Sequence, residues 1–420
     1  MAIMQLHPQD AAGRQPELRR TLSLPLTMFY GLGNILGAGI YVLIGQVIAH
    51  AGGFAPLSFL LASLLACLTA FSYAELSARY PLSAGEAVYV QEGLGLPALS
   101  ALVGLLIVLA GVVSAATILR GFTGYLQVFL PVPAALSILL LVLLLGGLAA
   151  WGIAESVRVA VLITVVEIAG LLLVLYVSAP AVFAAEPAWP DFAPLLNGGA
   201  WYGVFLGGFL AFYAFIGFED MVNVAEEVRR PERNLPRAIL LALLVATLLY
   251  FLVAMAAVIA VPIDRLAASD APLAWLYRYL TGREPVAITL ISMFAVINGA
   301  LIQIIMSSRV CYGMANRHWL PAVFGRVNAR TRTPLLATLV VSLAVLLMAL
   351  WLPIGTLAKS TSYFLLLVFA LVNLSLWRMK RSSAAPAGII HVPLWVPAAG
   401  CVTSTVFVAV QALIDLFGQA

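Results

Sequence analysis

Apolar and polar positions in this chain are sorted into long blocks. Apolar segments fall at about 24–48, 55–78, 97–126, 133–151, 157–179, 201–224, 237–261, 285–313, 335–353, 356–377 and 393–416. Short stretches rich in Gly, Pro and charged residues separate them. An α-helix needs roughly 20 residues to cross about 30 Å of hydrocarbon, so the blocks have the length of membrane-spanning helices. Strands of a membrane barrel would be about 10 residues long and alternate in polarity. The blocks do neither, and the pattern predicts an all-α integral membrane protein with about eleven spans.

Composition agrees, and the charges add an orientation. The chain of 420 residues is 63% hydrophobic and 10% charged, with a mean hydropathy of +1.06. Soluble domains carry about 25% charged residues. The net charge of +4 points to nucleic acid only until the charges are located. With the N-terminus inside, the inner segments hold Arg14, Arg19, Arg20, Arg79, Arg158, Arg229, Arg230, Arg233, Arg237, Arg309, Arg317, Arg326, Arg330, Arg332, Arg378, Lys380 and Arg381. These are 17 of the 22 basic residues. Arg265, Arg278 and Arg283 fall outside, and Arg120 and Lys359 lie within spans. The positive-inside rule then predicts a cytoplasmic N-terminus and, with eleven spans, an external C-terminus; the expected location is the cytoplasmic (plasma or inner) membrane. The lipid bilayer accounts for the basic balance without a nucleic-acid partner. The loop from about 180 to 200 carries Glu186 and Asp191 but no Lys or Arg, with Trp189 and Trp201 at interface height, and reads as external. The polar N-terminus lacks the design of a signal peptide.

Candidate chemistry is sparse. Cys67, Cys311 and Cys401 have no paired spacing, so neither a disulfide framework nor a zinc site is indicated. His7, His50, His318 and His391 lie at span ends or in loops. No nucleophile–base pair or metal set emerges, so no catalytic residue, metal or cofactor is assigned and an enzyme is not expected. The alternatives are an ion channel or a membrane-embedded enzyme. A channel should show a filter repeated by symmetry or a ring of one charge type, which the sequence lacks.

The first span contains GLGNILGAGIYVLIG, residues 31–45. Its glycines approach the spacing of a dinucleotide-binding loop. That loop requires a preceding strand, a following helix and an acidic residue about 20 positions on; none is present. Close helix packing explains Gly31 and Gly45. It explains Gly37-Ala38-Gly39 less well, because that triplet weakens the helix at mid-span. Non-helical backbone at that depth must line a cavity or be buried in protein. The sixth span, GGFLAFYAFIGFEDMVNVAEE, has a second weak point at Gly217, followed by Glu219 and Asp220. Breaks in spans one and six, five spans apart, point to an inverted-repeat transporter with its site between them. Freed N–H groups can hold a carboxylate and freed carbonyls an ammonium, so the pair suits an amino acid.

At these residues the chain resembles the amino acid–polyamine–organocation transporters, which have the LeuT-like fold. Ile35-Leu36-Gly37-Ala38-Gly39-Ile40 is similar to the family's first-helix break. Tyr73-Ala74-Glu75-Leu76, Pro81, Gly85 and Tyr89 resemble its signature at the end of span two. Phe215-Ile216-Gly217-Phe218-Glu219, then Ala225-Glu226-Glu227-Val228, Pro231, Arg233, Leu235 and Pro236, resemble its sixth helix and following loop. Arg309, Tyr312, Met314-Ala315 and Leu320-Pro321 resemble the end of its eighth helix. The resemblance covers about residues 20–380. It implies a tail at 1–22, a ten-helix core at 23–380 with repeats at about 23–180 and 200–380, and an additional helix within 381–420.

It further implies a secondary transporter of an amino acid or related amine, working by symport or exchange, with a proton or sodium ion as the coupling ion. The substrate carboxylate is expected at the amides of Gly37, Ala38 and Gly39, next to Ile35. The ammonium is expected at the carbonyls of Phe215, Ile216 and Gly217, ahead of Phe218. Tyr213 either covers the substrate or packs as an ordinary aromatic. Ser114 and Asn298 are the polar candidates for recognising the side chain. The chain departs from the family at Glu86, where many relatives have a small residue, at Glu167, where several have Lys, and in its eleven spans, where twelve is common.

Charges at membrane depth cost about 2.5–3.5 kcal/mol or more unless paired or hydrated. Glu167 is halfway along span five, and Arg158 lies about 13 Å away along the helix. It reads as a carboxyl kept neutral in helix packing, as a coupling site that gains and loses a proton, or as a cation ligand. Glu219 is expected to accept N–H groups freed at the start of the second half-helix, a role compatible with proton coupling. Asp220 faces about 100° away on a helix and carries less weight. Glu226 and Glu227, close to the basic loop at 229–233, are expected to be interfacial ion pairs or helix-end anchors. Lys359 and Arg120 are expected to snorkel, with a vestibule charge as the alternative.

Overall fold

The computed structural model describes residues 18–129, 132–184, 199–269, 271–352, 354–382, 386 and 388–417. Most of the expected tail at 1–22 lies outside this set, as do Glu186, Trp189 and Asp191 of the external loop and the side chain of Lys359. Fourteen α-helices are described. They are α1 (Leu24–Ala51), α2 (Ala55–Arg79), α3 (Gly85–Leu94), α4 (Pro97–Phe129), α5 (Ala134–Trp151), α6 (Ile153–Ala184), α7 (Gly199–Ala214), α8 (Pro231–Ala260), α9 (Ile263–Ala267), α10 (Pro272–Thr281), α11 (Val286–Asn316), α12 (Leu335–Trp351), α13 (Ile354–Ser382) and α14 (Trp395–Phe417). Every expected span coincides with one long helix, except the sixth, which is α7 followed by a 3₁₀ segment at Glu219–Glu227. Leucines such as Leu143, Leu144, Leu162 and Leu339 are exposed on the outer faces, as a hydrocarbon solvent requires.

Three features were not anticipated. A short helix, α3, lies between spans two and three, and α9 and α10 occupy the loop after α8. The part of span six after Gly217 is 3₁₀ and not a second α-helical half. Its sequence suits that winding: Asp220, Asn223 and Glu226 recur every three residues, and three-residue spacing stacks side chains on one side of a 3₁₀ helix.

Helix α1 is the hub. It packs on α6, α7, α8 and α11, and its glycines set how closely they approach. A Cβ on Gly31 would collide with Met221, and one on Gly33 with Thr164 and Asn298. One on Gly39 would sit 2.9 Å from the Ala214 Cα on α7. Close packing therefore accounts for Gly39 as well as Gly31. Gly37 differs: the backbone departs from the helix there (φ −22°, ψ −117°), and only the Ala295 carbonyl would come near an added Cβ, at 3.7 Å.

Near the C-terminal end of α2, buried Glu75 ties distant segments together. It pairs with Arg79, with Lys380 Nζ on α13 at 2.8 Å, and with the Val392 N–H ahead of α14 at 2.7 Å. One carboxylate thus fixes the additional helix to the core.

Candidate functional site

Residues flanking the two breaks line a cavity of about 300 Å³, large enough for a small-molecule ligand. Its walls come from α1 (Asn34, Ile35, Gly39, Leu43), α4 (Ala110, Ser114, Thr117, Ile118), the break after α7 (Tyr213, Ile216, Glu219, Asp220), α11 (Gly299, Gln303, Met306) and α13 (Thr361, Leu365). Among the described residues, two carboxyls and no basic side chain line it.

The local backbone explains how the walls are held. After Ala214 the chain leaves the helix, and Gly217 takes φ +128°, a conformation open in practice only to glycine. The Gly217 N–H donates to Glu219 Oε2 at 2.7 Å. The Gly217 carbonyl accepts from Asn34 Nδ2 at 3.1 Å. Glu219 therefore receives an N–H from the break itself, upstream of the 3₁₀ segment, and no second α-helical half exists for it to cap. The Tyr250 hydroxyl on α8 donates to the Ile35 carbonyl at 2.6 Å and lies 3.0 Å from the Ala214 carbonyl. Helix α8 thereby holds the two broken elements together through their freed carbonyls.

Of the residues expected from sequence, Ile35, Gly39, Ser114, Tyr213, Ile216 and Glu219 line the cavity. Gly37 is buried behind it, and the backbone of Ala38 continues α1. Phe215 is buried edge-on against Tyr250, with ring centroids 5.1 Å apart. Phe218 stacks on Phe369 and meets Tyr73 edge-on. Asn298 lies one residue before Gly299 and points to a different partner. Its Nδ2 donates to Glu167 Oε1 at 3.0 Å and to Thr164 Oγ1 at 3.2 Å.

Glu167 on α6 is fully buried, outside the cavity lining. The Tyr41 hydroxyl donates to its backbone carbonyl at 2.7 Å. Its Oε2 and the Asn298 Oδ1 have no partner among the described residues. Among the same residues no Lys, Arg or His pairs with it. Arg120 donates to the Leu352 carbonyl at the end of α12.

Glu227 forms an ion pair with a residue outside the neighbouring basic loop. Glu227 pairs with Arg309 of α11 at 3.3 Å, both fully buried, and Glu226 accepts the Ser83 N–H at 3.0 Å. The arginines at 229 and 230 remain exposed.

Sequence reasoning missed Asn34 and Gln303 and gave Asp220 too little weight. Asp220 Oδ2 accepts from Asn34 Nδ2 at 2.5 Å and from Gln303 Nε2 at 2.7 Å. This network joins α1, the break and α11 on one cavity wall. The signal available was three polar residues in otherwise apolar runs, each of which needs a partner at that depth.

Residues 22–417 match the amino acid permease family. The chain is 32% identical over 385 residues to the vacuolar cationic amino acid transporter 2 of Arabidopsis thaliana, covering 86% of this chain and 59% of that longer protein. It is 28% identical over 395 residues to the branched-chain amino acid permease BcaP of Bacillus subtilis, covering 88% and 83%. It is also 28% identical over 411 residues to the methylthioribose transporter of Bacillus subtilis, covering 92% and 87%.

Proposed function

The chain belongs to the amino acid permease family, and from that premise we propose that it is a proton-coupled secondary transporter of an amino acid or related amine in the cytoplasmic membrane. The observation that carries this reading is the cavity lined by residues of both broken elements, with the carboxyls and amides of Asn34, Glu219, Asp220 and Gln303 and the hydroxyls of Ser114, Thr117 and Thr361 among its aliphatic side chains. In this reading the α-carboxylate takes the amides of the α1 break and the α-ammonium takes the carbonyls at 215–217. Side chains of α4, α11 and α13 choose the substrate's side chain. The core comprises two five-helix repeats, each opening with a broken element. Uptake into proteoliposomes tests the proposal. A panel of neutral and cationic amino acids, amines and methylthioribose is offered under a pH gradient and then under a sodium gradient. Saturable accumulation of one amino acid or amine under the pH gradient is expected; accumulation of methylthioribose alone, or of nothing in the panel, overturns the reading.

Glu167 is the proposed coupling carboxyl. Its one side-chain partner is a neutral amide, and an ionised carboxylate at membrane depth needs a cation or water. A conformation that admits water to α6 would therefore let it lose a proton. Glu167→Gln keeps the shape and is expected to retain exchange of substrate for substrate while losing accumulation under a pH gradient. Accumulation at the wild-type rate would assign Glu167 to packing.

Orientation follows from the charge bias. A cysteine replacing Arg283 should react with an impermeant maleimide on intact cells, and one replacing Arg330 only after permeabilisation. The reverse pattern would invert the topology.

A further inference from the structure

We infer that Asp220 is the specificity-determining counter-ion of this cavity: its carboxylate takes the substrate's ammonium and selects against compounds that lack one. This rests on the transporter reading above and deepens it, adding one named side-chain charge to the backbone carbonyls of the break.

Asp220 belongs to the 3₁₀ segment Glu219–Glu227, three residues past Gly217. It is 1% exposed and yet forms part of the cavity wall. Asn34 Nδ2 and Gln303 Nε2 both donate to its Oδ2, and Gln303 Nε2 also reaches Asn34 Oδ1 at 3.5 Å. The two amides come from α1 and α11, so the carboxyl is held in place from two sides. Such a pair of N–H donors suits an ionised acceptor. Both land on one oxygen, so Oδ1 is the oxygen that a ligand in the cavity meets.

The wall also shows the kind of group it accepts. Asn34 Nδ2 donates at once to the Gly217 carbonyl and to Asp220 Oδ2. A carbonyl and a carboxylate oxygen thus lie within hydrogen-bond reach of a single nitrogen. An amide brings two donors and no charge to such a place. An ammonium brings three donors and a positive charge, and with it a Coulomb attraction that no neutral group supplies.

Charge balance points the same way. Among the described residues the cavity wall holds no Lys, Arg or His, and no cation pairs with Asp220. The neighbouring Glu219 is engaged by the N–H of the break itself. Asn34 and Gln303 orient the Asp220 carboxylate without cancelling its charge, and an uncancelled charge at membrane depth is costly. A substrate ammonium cancels it; an uncharged sugar does not. The substrate's own carboxylate is repelled by Asp220, which favours its placement at the α1 break. Glu167 lies outside the cavity wall, so the coupling proton and the substrate's charge fall to separate carboxyls.

Binding to the full-length protein in detergent, read as thermal stabilisation by ligand, tests the assignment. The probes are leucine, lysine and putrescine, each beside the analogue that carries hydroxyls in place of its amino groups. In the wild type at least one amino compound should bind, and its hydroxyl analogue more than about 10-fold more weakly, the least expected of a lost charged hydrogen bond. Asp220→Asn keeps the shape, can still accept from Asn34 and Gln303, and removes the charge. It should weaken the amino compound about 10- to 100-fold and leave the hydroxyl analogue within about threefold of wild type. Asp220→Glu should recover part of the loss. An Asp220→Asn protein that keeps the wild-type preference for the amino compound overturns the assignment and leaves the transporter reading standing. Equal weakening of both compounds assigns Asp220 to structure alone and overturns it too. A wild type that binds a hydroxyl analogue as tightly as its amino parent overturns it without any variant. A protein that neither binds nor accumulates any amino compound overturns both the assignment and the reading beneath it.

Discussion

Replacing Gly217 with alanine will weaken substrate binding ~100-fold and impair transport accordingly, while leaving the helical bundle assembled. Two costs combine at this position. The backbone φ of +128° is a region that costs an L-residue about 1–3 kcal/mol. The new Cβ would also stand 2.7 Å from Asn34 Nδ2 and 3.0 Å from the Asn34 carbonyl carbon, and relieving such overpacking costs a further ~1–3 kcal/mol. The clash is relieved only by moving Asn34, which holds the Gly217 carbonyl and Asp220 Oδ2 in place, and the backbone strain only by turning the chain at the break. A loss near 3 kcal/mol in the site geometry corresponds to ~100-fold in affinity. Gly147→Ala is the control: among the described residues nothing lies within 4 Å of a Cβ there, and transport should be unchanged. Uptake and binding by the two variants, at equal amounts of monodisperse protein, check the prediction. Wild-type affinity in Gly217→Ala would mean that the break is not part of the site.

The largest effect on stability is expected at Arg309. Its guanidinium donates to both carboxylate oxygens of Glu227, at 3.3 and 3.4 Å, and to Ser308 Oγ at 2.9 Å. Both members of the pair are fully buried. The Glu227 backbone carbonyl also accepts the N–H groups of Thr21 and Leu22, each at 2.9 Å, so the pair anchors the start of α1 to the end of the 3₁₀ segment and to α11. Arg309→Met leaves a buried carboxylate alone, a loss of about 3–5 kcal/mol. Adding Glu227→Gln removes that orphaned charge and should recover a substantial part of the loss. Thermal unfolding in detergent should place the Arg309→Met variant lowest and the double variant between it and wild type. Equal melting for Arg309→Met and wild type would show that the pair contributes little.

Much of this architecture is legible in the chain because hydrocarbon is a demanding solvent. A span must be long, apolar and helical, so block lengths reveal the helices and arginine placement their orientation. The sixth-span break was readable because a glycine followed by two acids in an apolar run leaves polar groups at a depth where only a cavity or a partner can satisfy them. The α1 glycines were harder, since packing and helix breaking call for the same residue: Gly37 carries the departure from helical geometry, and Gly39 carries a close approach to Ala214. Asp220 was discounted on α-helical geometry, where consecutive residues point about 100° apart. A 3₁₀ segment after a break does not follow that rule, and Asp220 meets Asn34 and Gln303 in the cavity wall. Asn298 and Gln303 lie on one helix, five residues apart, and only the packing of α6 and α1 decides that one meets Glu167 and the other the cavity. Tyr250 was indistinguishable from a lipid-facing or core aromatic until its two carbonyl partners were located.

Substrate protection of the cavity is the most direct measurement of the central claim. Ser114 lines the cavity from α4. In a Ser114→Cys protein, the rate of labelling by a small methanethiosulfonate reagent is followed with and without a saturating transported amino acid, against the background of the native cysteines. Protection at Ser114→Cys that disappears when Gly217→Ala is added is the predicted result. Unchanged labelling at saturating substrate, in a protein that still transports, would contradict a substrate site between the two breaks.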